Sequence, residues 1–249
     1  MTTQVSVVMA AYNAEAFLAE AIASVLDERY DAMQLIVLDD GSTDRTPDIV
    51  RSFASPDITY RRQENRGVAA ATNAGLLLAT GPIVSFLNAD DLWCAGRLAL
   101  QLALLAEHPE ADVVLGHQRR TWRPEGETEW KFLEPELALH LQSCLFRREV
   151  FDRVGAFDES FRYCYDWDWF FRARELGVPF FTHPEVTNIY RRHAGNLSLE
   201  EDANNREATL VVRRSLARRR AGGRGGSLAS VRLDDQPPPE RGGEARVQE

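Results

Sequence analysis

Two acidic pairs close apolar runs in this chain. Asp90 and Asp91 follow Ile83-Val84-Ser85-Phe86-Leu87-Asn88-Ala89, and Asp39 and Asp40 follow Leu35-Ile36-Val37-Leu38. A short apolar run bounded by turn residues reads as a buried strand, and carboxylates at its end add nothing to a core. In an open α/β sheet the carboxyl ends of the strands face the crevice where ligands bind. Hard cations such as Mg²⁺ or Mn²⁺ take one or two carboxylates there, with substrate phosphates completing the shell. Asp90 is the candidate ligand, and its cation would neutralise charge gathering on a departing diphosphate. Asp91 fits an N-cap equally well. Asp39 fits either an acceptor for a base or ribose group, or a turn residue bonding its own backbone in Asp39-Asp40-Gly41-Ser42.

A third group is Tyr163-Cys164-Tyr165-Asp166-Trp167-Asp168-Trp169-Phe170-Phe171-Arg172. Partial burial among aromatics raises a carboxylate's pKa and poises it as a base. Aromatic faces also suit the apolar faces of sugar rings. Asp168 and Arg172 stand at i and i+4, the spacing of a helix-surface ion pair, which leaves Asp166 as the candidate base. The competing reading makes Asp166 the cap of a helix over roughly residues 168–176. His193, in Tyr190-Arg191-Arg192-His193-Ala194-Gly195-Asn196, is placed to complete a metal shell or meet a phosphate; the bland alternative is a solvated loop histidine.

These residues need elements to hold them. Val5 to Ala11 reads as a first strand, with Asn13 as cap of a helix whose apolar residues Phe17, Leu18, Ala21, Ile22, Val25 and Leu26 recur at helical spacing. Residues 35–38 form a second strand, and Thr46 and Pro47 open a second helix. A third strand over 58–60, a helix over 67–79, a fourth strand over 83–87, a helix over 96–107 and a strand over 113–115 follow. This alternation predicts one doubly wound, mainly parallel sheet of Rossmann-like α/β type. From about Thr121 the pattern fades into a less regular second half. From Arg213 the chain turns Arg-, Gly- and Pro-rich, and the composition predicts a disordered tail over 213–249.

The chain has 249 residues, 44% hydrophobic, with a net charge of -9. That suits one globular domain and argues against a nucleic-acid partner. Lys131 is the sole lysine, and three cysteines without CxxC spacing indicate neither a zinc site nor a disulfide framework. With no basic leader and no apolar run near the roughly 20 residues of a membrane span, the expectation is a soluble cytoplasmic protein. Membrane contact would be at most peripheral, at the inner face.

Taken in order, several segments resemble the GT-A fold glycosyltransferases of family 2. They are Val5-Ser6-Val7-Val8-Met9-Ala10-Ala11-Tyr12-Asn13, Val37-Leu38-Asp39-Asp40-Gly41-Ser42-Thr43-Asp44, Asn65-Arg66-Gly67, Asn73-Ala74-Gly75 and Asn88-Ala89-Asp90-Asp91. Leu145-Phe146-Arg147-Arg148 and Val154-Gly155-Ala156-Phe157-Asp158 are similar to the family's acceptor half. The resemblance spans residues 4–198. It implies a domain over 1–212, with a nucleotide-sugar-binding half (1–117) and an acceptor half (118–212). It also implies an inverting enzyme with Mn²⁺ or Mg²⁺ that moves a sugar from a nucleotide sugar, UDP-linked by preference. The acceptor would be the hydroxyl of a glycan, a lipid-linked or a small molecule.

By the same resemblance Ala11, Tyr12 and Asn13 line the nucleotide pocket with Asn65, Gly67, Asn73, Asn88 and Ala89, and Asp39 binds the nucleobase. Asp90 matches the metal-binding end of the Asp-x-Asp motif, Asp166 the base of a Glu-Asp motif, and His193 an Arg-x-His region near the diphosphate. Three positions depart from the pattern: Asn88 for the first aspartate of Asp-x-Asp, Thr72 for an arginine, and Tyr165 for the glutamate before the base. A degenerate binding or scaffold protein is the rival that these departures favour. A sugar nucleotidyltransferase is a further rival, and it would need a Gly-rich basic loop that Ala11-Tyr12-Asn13 does not offer.

Overall fold

The computed structural model describes residues 2–123 and 128–221. The first half alternates strand and helix: β1 (Val5–Ala11), α1 (Leu18–Leu26), β2 (Met33–Asp39), α2 (Thr46–Ser52), β3 (Ile58–Arg62), α3 (Val68–Leu78) and β4 (Ile83–Phe86). Then come β5 (Leu92–Trp93), α4 (Arg97–Glu107), β6 (Val113–Trp122), β7 (Lys131–Phe132), β8 (Cys144–Arg147) and α5 (Glu149–Val154). The last elements are α6 (Tyr165–Glu175), β9 (Phe180–Arg192) and α7 (Glu201–Ala221), with 3-10 turns at Leu141–Ser143 and Leu197–Leu199.

The strands form one sheet in the order β3-β2-β1-β4-β8-β6-β9-β5, with β7 against β6. The strands β3, β2, β1 and β4 are parallel, as expected for a doubly wound sheet. The irregular second half joins this sheet rather than standing apart. Its strand β8 runs antiparallel to both β4 and β6, β9 runs parallel to β6, and β5 antiparallel to β9. The sheet is therefore mixed.

Both faces of β1, β2 and β4 are covered, which is why these strands are mainly apolar runs. Val7 and Met9 face a core shared with Leu18, Ile22 and Leu35, while Val8 faces the opposite core with Val84 and Phe86. In that second core an aromatic knot sets the position of α6. Phe86 meets Phe146 edge-on at 5.6 Å between ring centroids, and Phe146 meets Trp169 edge-on at the same separation. Edge-on aromatic pairs contribute about 0.5–1.5 kcal/mol beyond their burial. The knot thereby fixes the helix that carries Asp166.

Gly75 explains one segment physically. A Cβ there would lie 2.4 Å from Cγ1 of Val8, so the glycine lets α3 lie directly on β1. Overpacking costs about 1–3 kcal/mol, and alanine returns about 1 kcal/mol of helix propensity. Gly75→Ala is therefore expected to lower the stability measured by urea unfolding by up to about 2 kcal/mol.

Two expectations are corrected. Asn13 does not cap α1, which begins after Phe17 without a side-chain cap. It sits instead in the left-handed region (φ 47°), with Oδ1 accepting the Thr43 N–H at 2.8 Å. The chain is also not irregular from Arg213, because α7 continues to Ala221. Its arginines are structural: Arg214 reaches Asp158 at 2.6 Å and Arg218 reaches Glu175 at 2.7 Å. The remainder of the expected tail, 222–249, lies outside the described residues. Among those described, no helix is long and apolar enough to cross a membrane.

Candidate functional site

The carboxyl ends of β1 and β2 meet at the pair Ala11 and Asp39. Their following loops are stitched together. Backbone N–H groups of Asn13, Ala14 and Glu15 donate to Ser42 Oγ, Thr46 Oγ1 and Asp44 Oδ2. This leaves Ala11 buried and Tyr12 53% exposed. Asp39 is fully buried; Oδ1 accepts the Ser42 N–H at 2.8 Å and Oδ2 accepts the Tyr60 hydroxyl at 2.7 Å, with Arg62 at 3.5 Å. The turn reading of Asp39 is thus present in the geometry. Burial and the bond to Asp39 push the Tyr60 hydroxyl up to about 12.

Beside Asp39, Gly41, Arg62, Gln63, Glu64 and Asn65 line an open cavity of about 530 Å³. Asp40 holds its rim, accepting the N–H groups of Arg66 at 2.9 Å and Gly67 at 2.8 Å. Gly67, at φ 91°, caps α3. Asn73 lies further along α3 and is engaged elsewhere. Its amide donates to the Phe157 carbonyl and accepts the Phe157 N–H, both at 2.9 Å. It ties the two halves of the chain together.

Asp90 and Asp91 have opposite environments. Asp90 is part exposed, and its Oδ2 accepts from Nε2 of His193 at 3.1 Å and Nδ2 of Asn196 at 3.2 Å. Nδ1 of His193 accepts the Gly195 N–H at 3.2 Å, so the neutral ring carries its proton on Nε2, toward Asp90. Asp91 is fully buried and caps no helix. Instead it accepts the Arg191 N–H at 3.0 Å and the Asn88 amide at 3.3 Å. Burial, then the neighbouring Asp90 charge, drive its carboxyl well above the usual range. Ala89 between them is buried.

Sequence reasoning did not single out the strap that holds His193. Arg191 is buried and reaches the Asp90 carbonyl, Glu20 and the Phe17 carbonyl. His193 stacks on the Phe17 ring at 4.3 Å. The one signal was the run Arg191-Arg192-His193, since Phe17 reads as an ordinary apolar helix residue.

Asp166 lies in the first turn of α6, whose N-cap is Cys164. Its Oδ1 accepts the Trp167 N–H at 2.8 Å, and Oδ2 lies 3.8 Å from Nδ1 of His140. Asp168 is structural, pairing with Arg172 at 2.7 Å and Arg218 at 3.3 Å. Two departures from the family pattern, Thr72 and Tyr165, are buried, and the Thr72 hydroxyl donates to the Val68 carbonyl at 2.7 Å. Burial, then the charges of Asp166, Asp90 and Asp91, drive the Tyr165 phenol upward. The Tyr165 ring meets Phe157 edge-on at 5.6 Å and Phe157 meets Phe86 edge-on at 5.9 Å, so the start of α6 packs toward the strand that leads to Asp90.

Among the described residues no three His, Cys, Asp or Glu side chains cluster to hold a metal. Asp90 with His193 fits a partial shell, the kind a hard cation completes with substrate phosphates and water.

A family model described as glycosyl transferase family 2 matches residues 6–158, more than half of the chain. An uncharacterised glycosyltransferase of Rickettsia prowazekii is 29% identical over 206 residues, covering 76% of this chain and 64% of the relative. The chain thus spans a little under two thirds of that relative's length. The Escherichia coli UDP-Glc:alpha-D-GlcNAc-diphosphoundecaprenol beta-1,3-glucosyltransferase WfgD is 36% identical over 105 residues, 42% of each chain. The mannosyltransferase PcManGT of Pyrobaculum calidifontis, solved with GDP-Man and Mn²⁺, superposes with a TM-score of 0.63 at 23% identity. That superposition covers 92% of this chain and 78% of the mannosyltransferase. The fold is the expected GT-A type, and the chain belongs to glycosyl transferase family 2.

Proposed function

We propose that this protein is an inverting glycosyltransferase using a nucleoside diphosphate sugar, UDP-linked in the first instance. Its acceptor would be a hydroxyl in polysaccharide, glycolipid or cell-envelope glycan synthesis. One observation carries the reading: Asp90 follows the carboxyl end of β4, and α6, which carries Asp166, packs through Tyr165 and Phe157 onto Phe86 of that same strand. A carboxylate suited to a cation and a carboxylate that, among the described residues, has no arginine or lysine at ion-pair distance thus stand on neighbouring elements. In this reading residues 1–117 bind the donor and 118–212 the acceptor. Ala11, Tyr12, Asn13, Asn65, Gly67, Asn88 and Ala89 line the donor side, and Asp39 meets the nucleobase. Asn73 holds the Phe157 loop in place.

Asp90 and His193 would hold Mn²⁺ or Mg²⁺, and Nε2 would give up its proton to ligate. When bound, the cation supplies charge neutralisation at the leaving diphosphate. Asp166 takes the proton of the acceptor hydroxyl on Oδ2 as that oxygen attacks the anomeric carbon. The bond from that carbon to the diphosphate breaks on the opposite face, and configuration inverts. One carboxylate suffices because the leaving group is already activated, unlike the two needed to hydrolyse a glycoside.

The E. coli relative, named for a diphosphoundecaprenol-linked acceptor, supports a lipid-linked acceptor. The relatives' donors differ, UDP-Glc in one and GDP-Man in another. Calorimetric titration of UDP, GDP and dTDP with and without Mn²⁺ tests the donor side. One nucleotide is expected to bind in a Mn²⁺-dependent manner; no binding of any of the three to folded protein contradicts the reading.

A further inference from the structure

Asp166 and Asp168 lie two positions apart on α6, yet their charges are treated oppositely. Asp168 receives two arginines. Around Asp166, among the described residues, no arginine or lysine comes within ion-pair distance; the basic group facing it is His140. Because Oδ1 is taken by the Trp167 N–H, the oxygen left to accept a proton is Oδ2, and His140 stands against that oxygen. We propose that His140 is a positioning residue for Asp166, orienting Oδ2 toward the acceptor hydroxyl. The inference rests on the reading of Asp166 as the base.

The residue types favour this role. An arginine against Oδ2 would stabilise the carboxylate anion and weaken it as a base. A neutral imidazole orients the same oxygen through one hydrogen bond without adding a charge. His140 is also held where it can act. Its carbonyl accepts the Ser143 N–H at 3.1 Å and the Cys144 thiol at 3.4 Å. Its ring lies within 11° of parallel to Tyr190, with centroids 6.5 Å apart, in the range of offset stacking.

The groups facing His140 are therefore Asp166 from α6, Tyr190 from β9 and the Cys144 thiol at the start of β8. The 3.8 Å gap exceeds a hydrogen bond. Catalytic hydrogen bonds commonly tighten only once substrate is bound. At 34% and 12% side-chain exposure, both groups are reachable from the crevice.

The test uses the full chain labelled with ¹⁵N-histidine, whose five histidines are resolved by assigning His140 through His140→Asn. In Asp166→Asn the ring ¹⁵N resonances of His140 at fixed pH are expected to move, because the acceptor facing Nδ1 has changed from a carboxylate to an amide. In His140→Ala, UDP release from UDP-glucose is expected to slow by about 10-fold in kcat, the low end for a proton-transfer contribution, with KM for the donor unchanged. His140→Asn, whose amide can still donate to Oδ2, is expected to restore most of that loss. Unmoved His140 ring resonances in Asp166→Asn overturn the proposal, as does an undiminished kcat in His140→Ala. If wild type turns over no UDP-glucose, the His140 resonances alone decide the pairing. Failure of the enzyme reading appears separately, as absent nucleotide binding.

Discussion

Asp166→Asn is expected to lower turnover by about 10²- to 10⁴-fold, the usual contribution of a positioned general base, with nucleotide affinity and melting temperature unchanged. The substitution is nearly isosteric. An asparagine Oδ1 still accepts the Trp167 N–H that Asp166 now takes at 2.8 Å. The charged network that anchors α6 belongs to Asp168, with Arg172 and Arg218, and Asp166 has no share in it. The Trp169 knot behind the helix is also untouched. What is lost is the oxygen that can take a proton. A fall in kcat with unchanged donor KM and unchanged unfolding would be the mark of a group acting on the acceptor. A joint loss of folding and activity would assign Asp166 to the scaffold instead.

Removal of the Asp90 carboxylate has the second large effect, on the donor. Asp90→Ala is expected to weaken nucleotide binding in the presence of Mn²⁺ by about 10- to 100-fold or more, and to leave the metal-free affinity unaltered. The same oxygen also organises the 193–196 turn, since it accepts from both His193 and Asn196. Asp90→Asn separates the two roles. The amide oxygen can still accept from His193, so the turn is kept, but the negative charge is gone. If the metal dependence disappears in both variants, the charge is what matters. If it disappears only in Asp90→Ala, Asp90 acts by holding the turn. Calorimetry with UDP, GDP and dTDP, with and without Mn²⁺, distinguishes these results.

Most of the parallel half of the fold was legible in the sequence because β1, β2 and β4, unlike the part-exposed edge strand β3, are buried on both faces. Such strands must be apolar runs, and runs such as Val5 to Ala11 announce themselves. Strand β8 gave no such signal. Its antiparallel place between β4 and β6 is set by long-range pairing and by the packing of Phe146, which no local window contains. The full extent of α7 was hidden for a related reason. Arg214 and Arg218 look like solvated tail residues until Asp158 and Glu175 arrive from elsewhere in the fold.

The site shows the same division. The i, i+4 spacing of Asp168 and Arg172 identified that pair as structural from the sequence alone. The acidic strand ends likewise stood out against the runs they close. Asp91 could not be separated from a cap, because its partner Arg191 is remote in the chain. His140 was invisible among irregular residues until β8 and α6 packed together.

The central claim, a single displacement with Asp166 as base, is tested most directly by the configuration of the first product. Time-resolved proton NMR of UDP-glucose turnover, with water serving as the acceptor hydroxyl, reads the anomer before it equilibrates. The account predicts β-glucose first from the α-linked donor, formed far more slowly by Asp166→Asn. α-Glucose as the first product, or β-glucose formed equally fast without the Asp166 carboxylate, would contradict it.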